Sequence, residues 1–127
     1  MNHLPEEVTK AWEARNPLAV LTTVSKSGTP NTVYVSCYGL GKGKQIMICD
    51  IKFGQTLNNL KHGKPEVSFL FQAPNFGAYQ LKGFPHYATD GEQFEQGKVF
   101  AKPEATVRGV LAIEVTAIYK GSENIQC

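Results

Sequence analysis

The chain has 127 residues, 42% of them hydrophobic and 19% charged, with 13 Lys and Arg against 11 Asp and Glu for a formal net charge of +2. That size fits one compact domain over 1–127, leaves no room for a second of ordinary length, and its hydrophobic content excludes bulk disorder. With Arg15 and Arg108 as its two arginines, the chain lacks the clustered basic face, with a pI above about 9, of a dedicated nucleic-acid binder.

Leu4, Val8, Ala11 and Trp12 recur at helical spacing and predict an N-terminal helix over residues 4–15, within an N-terminal segment 1–16. Pro5 suits its first turn, and Asn16-Pro17 stops it. Residues 18–25, rich in β-branched side chains, predict a strand, 26–30 a turn and 31–38 a second strand, so that the pair forms a hairpin. On that second strand Val33, Val35 and Cys37 point one way, toward a core. Thr32, Tyr34, Ser36 and Tyr38 point the other. A face of hydroxyls and rings is either simply solvated or a wall for a polar, ring-bearing ligand. The glycines at 39, 41 and 43 precede another strand, 45–50, rather than a helix, which makes them a hairpin loop and not a dinucleotide fingerprint.

A short helix over 55–62 follows, with Leu57 and Leu60 on one side and Gly63 and Pro65 at its end. Residues 66–72 predict a strand, 78–88 another that bends near Gly83 and Pro85, 91–97 a brief helix, and 110–120 a long final strand. Pro103 interrupts the unassigned stretch 98–109, and the tail 121–127 reads as loose or docked on a neighbour. Hairpin-length connections and short helices make the expected fold mainly β, a six-stranded antiparallel barrel. The final strand is apolar on both faces and needs a second cover, for which a partner subunit is the expectation.

The start, MNHLPEEVTK, has no apolar stretch of a secretory signal, and no apolar run approaches the ~18 residues of a membrane span. Cys37, Cys49 and Cys127 are odd in number and form no CxxC pair. His3, His62 and His86 have no ligand spacing. Cys37 and Cys49 lie in strand-like runs and read as small buried hydrophobes. The expectation is a soluble, cytoplasmic protein without protein-bound metal. No nucleophile elbow and no paired carboxylates stand out, so redox chemistry would come from a bound cofactor. The junction at residues 49–60 is the richest stretch. A helix N-terminus attracts anions; Lys52 adds charge, Thr56 a hydroxyl, Gln55 an amide, and Gly54 allows close approach. These residues suit a phosphate monoester. They equally suit an ordinary helix capped by Asp50 or Thr56.

LAVLTTVSKSGTPNTVYVS, QIMICDIKFGQTLNNLKHGKPEVSFLFQ and YQLKGFPHYATDGEQFE, in that order, resemble the pyridoxamine 5′-phosphate oxidase-like FMN-binding split-barrel family over roughly residues 16–120. Within that family the chain is most similar to the small FMN-binding and flavin-reductase-like members. The resemblance implies a six-stranded split barrel that dimerises, with FMN at the subunit interface. It implies an oxidoreductase or electron carrier supplied by a nicotinamide or protein donor, with no side chain as obligatory catalyst. Carried over by position, Tyr34, Val35 and Ser36 come from the second strand, Cys49, Asp50 and Ile51 lie beside the ring, and Gln55 and Thr56 meet the phosphate. Gln55 stands where the family has lysine, and Lys52, three residues earlier, is the residue placed to restore the charge. Other branches bind deazaflavin or haem, so a non-catalytic barrel that stores or senses flavin, or binds one of these ligands, is the alternative.

Overall fold

In the computed structural model, which describes residues 3–126, helix α1 (Glu6–Glu13) follows Pro5 and buries Val8, Ala11 and Trp12. The Trp12 ring stands 5.4, 5.7 and 5.2 Å from the rings of Tyr38, Phe69 and Phe71. This aromatic cluster carries much of the helix's docking, since each ring buries a large apolar area. The strands are β1 (Ala19–Val24), β2 (Pro30–Val35), β3 (Tyr38–Leu40), β4 (Gln45–Asp50), β5 (Val67–Ala73), β6 (Gly77–Ala88), β7 (Gly109–Lys120) and β8 (Glu123–Gln126). Helices α2 (Gln55–His62) and α3 (Gly91–Gly97) and a 3₁₀ turn at Lys98–Phe100 complete the described elements. No described helix is long and apolar enough to cross a membrane.

All pairings are antiparallel, in the order β2-β1-β5-β6-β7-β4-β3, with β8 beside the end of β7. Strands β2 and β3 stand at opposite ends of this order, yet only Ser36 and Cys37 separate them in the chain. The sheet therefore curls until its two edges approach, and they meet without pairing. This is a split barrel, and its seam runs along β2 and β3. Leu21, Phe69, Phe71, Leu81, Leu111 and Ile113 fill the inside of the curl.

The fold class is the expected one, with three local differences. The second strand is broken by a bend at Ser36–Cys37, which interrupts the alternation of faces. Tyr38, expected on the open face, is consequently buried against Trp12, and its hydroxyl accepts a hydrogen bond from Arg15 Nε at 3.0 Å. The tail folds back through a turn at Gly121 and pairs as β8 with β7, which with the split of β2 and β3 raises the strands among the described residues from six to eight. Cys127 lies outside the described residues.

The second face of the final strand is covered by the chain itself. Val110 and Ala112, with Met47 of β4, form a separate small core under Phe94, Phe100 and Val107. Within the chain this cover comes from Phe94 of α3 and from Phe100 and Val107 of the stretch 98–109, which had no readable pattern. A register shift between Lys82 and Gly83 of β6 turns Ile118 into the main core.

Candidate functional site

The seam opens into a cleft of about 260 Å³ lined by Val33–Cys37 on one side and by Cys49, Ile51–Gly54 and Thr56 on the other. On the β2 wall the alternation works as expected as far as Ser36: Val35 is buried, whereas Tyr34 and Ser36 are exposed, Tyr34 at 76%. The opposite wall is the turn from β4 into α2. No side chain caps α2, and among the described residues the N–H groups of Gln55 and Thr56 donate to nothing. A helix mouth in that state presents unpaired donors and a partial positive charge. A Cβ added to Gly54 would meet open space, so the glycine leaves a cradle there. Lys52 is exposed beside it and makes no ion pair among the described residues.

Thr56 is buried, and its Oγ1 accepts from Asn31 Nδ2 at 3.0 Å, leaving the hydroxyl proton to donate elsewhere. Asn59 holds the rest of this end in place. Its Nδ2 donates to Thr23 Oγ1 at 3.0 Å, and its Oδ1 accepts from Gln55 Nε2 at 2.8 Å. The Gln55 side chain is thus drawn back from the cleft into a neighbouring hollow lined by Ser25, Thr29 and Asn31.

Asp50 plays a different part from the one its position suggests. It is fully buried, and it shapes the cleft rather than lining it. Its Oδ1 accepts from Phe53 N at 2.7 Å and from an Arg108 guanidinium nitrogen at 2.9 Å, and its Oδ2 accepts from the Tyr87 hydroxyl. Arg108 also donates to Phe53 O at 2.6 Å, and its own N–H bonds Asp50 O at 2.8 Å. The loop between β4 and α2 is therefore clamped by Tyr87 of β6 and by Arg108, the residue just before β7. Of the residues expected at the site, Tyr34, Val35, Ser36, Cys49, Ile51, Lys52 and Thr56 line one cleft, and Asp50 and Gln55 stand behind it. Asn31, Tyr87 and Arg108, which hold Thr56 and Asp50, carried no local signal.

Two groups here titrate late. Burial, with the neighbouring Cys37 thiol adding to it, pushes Cys49 from 9.0 up to about 11. Burial first, then the bond to Asp50 and its charge, raises the Tyr87 phenol above its ordinary 10.0, with Arg108 opposing. The unfolded chain releases both protons before the folded one does, so stability is full below about pH 8.5 and falls as pH climbs through 9 and beyond. Thermal midpoints measured against pH should be flat through neutrality and drop in alkali, and Tyr87→Phe, which has no phenol proton to lose, should soften the drop. A midpoint insensitive to pH above 9 in the parent protein would contradict this reading.

In fold the protein is similar to HupZ of Group A Streptococcus, at 23% identity over 97% of this chain and 94% of that one, with a TM-score of 0.78. It is similar to an FMN-binding protein from Syntrophomonas wolfei, at 13% identity over 96% and 86% of the two chains, with a TM-score of 0.68. A heme binding protein from Mycobacterium smegmatis is 17% identical, covering 89% of this chain and 51% of that one, with a TM-score of 0.66. At such identities the likeness is one of fold. No curated protein is significantly similar in sequence. The family profile described as pyridoxamine 5′-phosphate oxidase, however, matches residues 4–120, and with that match across nearly its whole length the chain belongs to the pyridoxamine 5′-phosphate oxidase family.

Proposed function

We propose that the protein is an FMN-binding flavoprotein, a homodimer with the flavin at the subunit interface, acting as an oxidoreductase or electron carrier. The observation that carries this reading is the cleft: an uncapped helix mouth with a glycine cradle, a buried threonine hydroxyl and an exposed lysine, set beside a wall bearing an exposed tyrosine. These features fit the two ends of FMN, a phosphate monoester and a flat ring system. The N–H groups of Gln55 and Thr56, the Thr56 hydroxyl and Lys52 would hold the phosphate. Tyr34, Val35, Ser36, Cys49 and Ile51 would border the ring, and Asp50 sets the loop that joins the two parts. Bound flavin supplies the redox chemistry, with electrons from a nicotinamide or protein donor, while the chain binds, orients and tunes it.

The cleft's about 260 Å³ is below the roughly 300–1,000 Å³ usual for pockets that enclose a ligand. One chain would thus cover a flavin only in part, which supports a second copy completing the site. The exposed Tyr34 and Leu70, in register across Val20 on the outer face of the sheet, give that copy an apolar row to contact.

Titration with FMN, followed by quenching of flavin fluorescence and by thermal stabilisation, tests the reading. Thr56→Ala, which removes a hydrogen bond to a charged group, should weaken binding by about 10- to 150-fold. Lys52→Ala, at an exposed position, should cost less, and its effect should shrink with added salt. Unchanged affinity in both variants would put the phosphate elsewhere, and a protein that neither quenches nor is stabilised by FMN would end the proposal.

A second reading, a non-catalytic barrel that binds haem, has the Mycobacterium smegmatis neighbour behind it. His3, His62 and His86 are not among the residues that line the cleft, so this chain's own lining offers haem no imidazole there. The absorption spectrum of the protein as isolated separates oxidised flavin, deazaflavin and haem.

A further inference from the structure

Cys37 and Cys49 come together in a way that the sequence conceals. They lie 12 positions apart, but the pairing of Tyr38 with Ile48, continued by one step, sets Cys37 directly opposite Cys49. The hydrogen bond from Cys49 N to Cys37 O at 2.9 Å confirms that step. In a regular antiparallel ladder a hydrogen-bonded pair has Cα atoms about 5.5 Å apart and side chains on the same face, and the Cys49 N–Cys37 O bond places this pair at the end of such a ladder, next to the bend. A disulfide needs a Cα separation of about 4.4–6.8 Å. Independently of the register, both residues line the same cleft. The rise in the Cys49 pKa also includes a contribution from the Cys37 thiol, as expected of two close sulfur atoms.

We propose that Cys37 and Cys49 form a redox-active pair, in which a small-molecule disulfide closes a cross-strand bridge inside the cleft. Cys37, half-buried, is the more accessible of the two and makes the first attack. Its thiolate displaces one thiol from the small disulfide, breaking that S–S bond and forming a mixed disulfide. Cys49 gives up the proton that it now shares with Gly97 O at 3.2 Å, and attacks the Cys37 sulfur. The second small thiol leaves. Two protein thiols are thereby oxidised to one disulfide, and one small disulfide is reduced to two thiols. The bridge ties the Ser36–Cys37 bend, where the chain crosses the barrel seam, to the end of β4, joining the two walls of the cleft. This pairing stands whether or not the cleft holds a flavin.

The test uses the full chain. The reduced protein is incubated with oxidised glutathione at mildly alkaline pH, where more of the Cys49 thiol ionises, then alkylated and digested with trypsin. Cleavage after Lys26, Lys42, Lys44 and Lys52 places Cys37 in peptide 27–42 and Cys49 in peptide 45–52. The expected result is a fall from the 3 thiols of the chain to a single one, with these two peptides linked and released again by dithiothreitol. Glutathione retained on Cys37, a bridge made through Cys127, or three thiols still free would each overturn the proposal.

Discussion

Asp50→Ala should destabilise the protein by about 3 kcal/mol and lower its thermal midpoint by roughly 10–15 °C. The carboxylate is fully buried and receives Phe53 N, the Tyr87 hydroxyl and the Arg108 guanidinium, so its removal strands three donors at once. Breaking a buried ion pair from one side costs about 3–5 kcal/mol in general. The lower end applies here because the Arg108 side chain is 47% exposed and can regain water when its partner goes. Asp50→Asn, which keeps an acceptor and the shape but not the charge, should lose less. Urea unfolding of the three proteins measures both steps. A loss under about 1 kcal/mol for the alanine variant would mean that the clamp is not holding the loop. Since that loop forms a wall of the cleft, Asp50→Ala should also weaken FMN binding although Asp50 does not line the cleft.

Gly83→Ala should be about as damaging, near 3 kcal/mol, for a steric reason. A Cβ at this position would lie 2.0 Å from the carbonyl oxygen of Glu114 and 3.0 Å from Ile113 Cγ2. A side chain can swing aside, but the carbonyl belongs to the facing strand and moves only if the ladder moves. That ladder is already irregular: Lys82 pairs with Ala117 and Gly83 with Val115, so Thr116 is the extra residue of a bulge. The bulge turns Ile118 into the core, and displacing β7 would disturb it. A drop in the urea midpoint with the slope unchanged is the expected observation, and stability within about 0.5 kcal/mol of the parent would refute it.

How far the sequence could be read depended on the range of the interaction responsible. β4, α2 and α3 fall on the residues expected for them, because a short apolar run, helical spacing and terminal glycines are signals that act within a few positions. The bend near Gly83 and Pro85 was legible for the same reason, and Pro85 stands where β6 has left β5 and runs beside β7 alone. The break at Ser36–Cys37 was not legible. Both residues are good enough in a strand, and the break follows from the curl that brings the two sheet edges together. Nor did any local pattern show that Phe94, Phe100 and Val107 would cover the second face of β7.

The cleft divides along the same line. Its two walls were visible as a hydroxyl-and-ring strand and a helix opening, each contained in one short segment. Which polar groups face into it was settled by partners far along the chain: Asn31 for Thr56, 25 residues away, and Arg108 for Asp50, 58 residues away. The family resemblance places Asp50 beside the ring, and Gln55 is expected near the phosphate as an amide donor; in the fold Arg108 and Tyr87 bond the first side chain and Asn59 the second.

By itself, then, the sequence determined the antiparallel β class, the strand and helix that flank the site, and the residue types available for a phosphate and a ring. The tertiary structure alone decided the seam, the inward turn of Asp50, the cover over β7 and the meeting of Cys37 with Cys49. The physical reason is that side-chain alternation and capping are written in neighbouring residues. A buried polar group, in contrast, must find its partner wherever the folded chain brings one within hydrogen-bond reach.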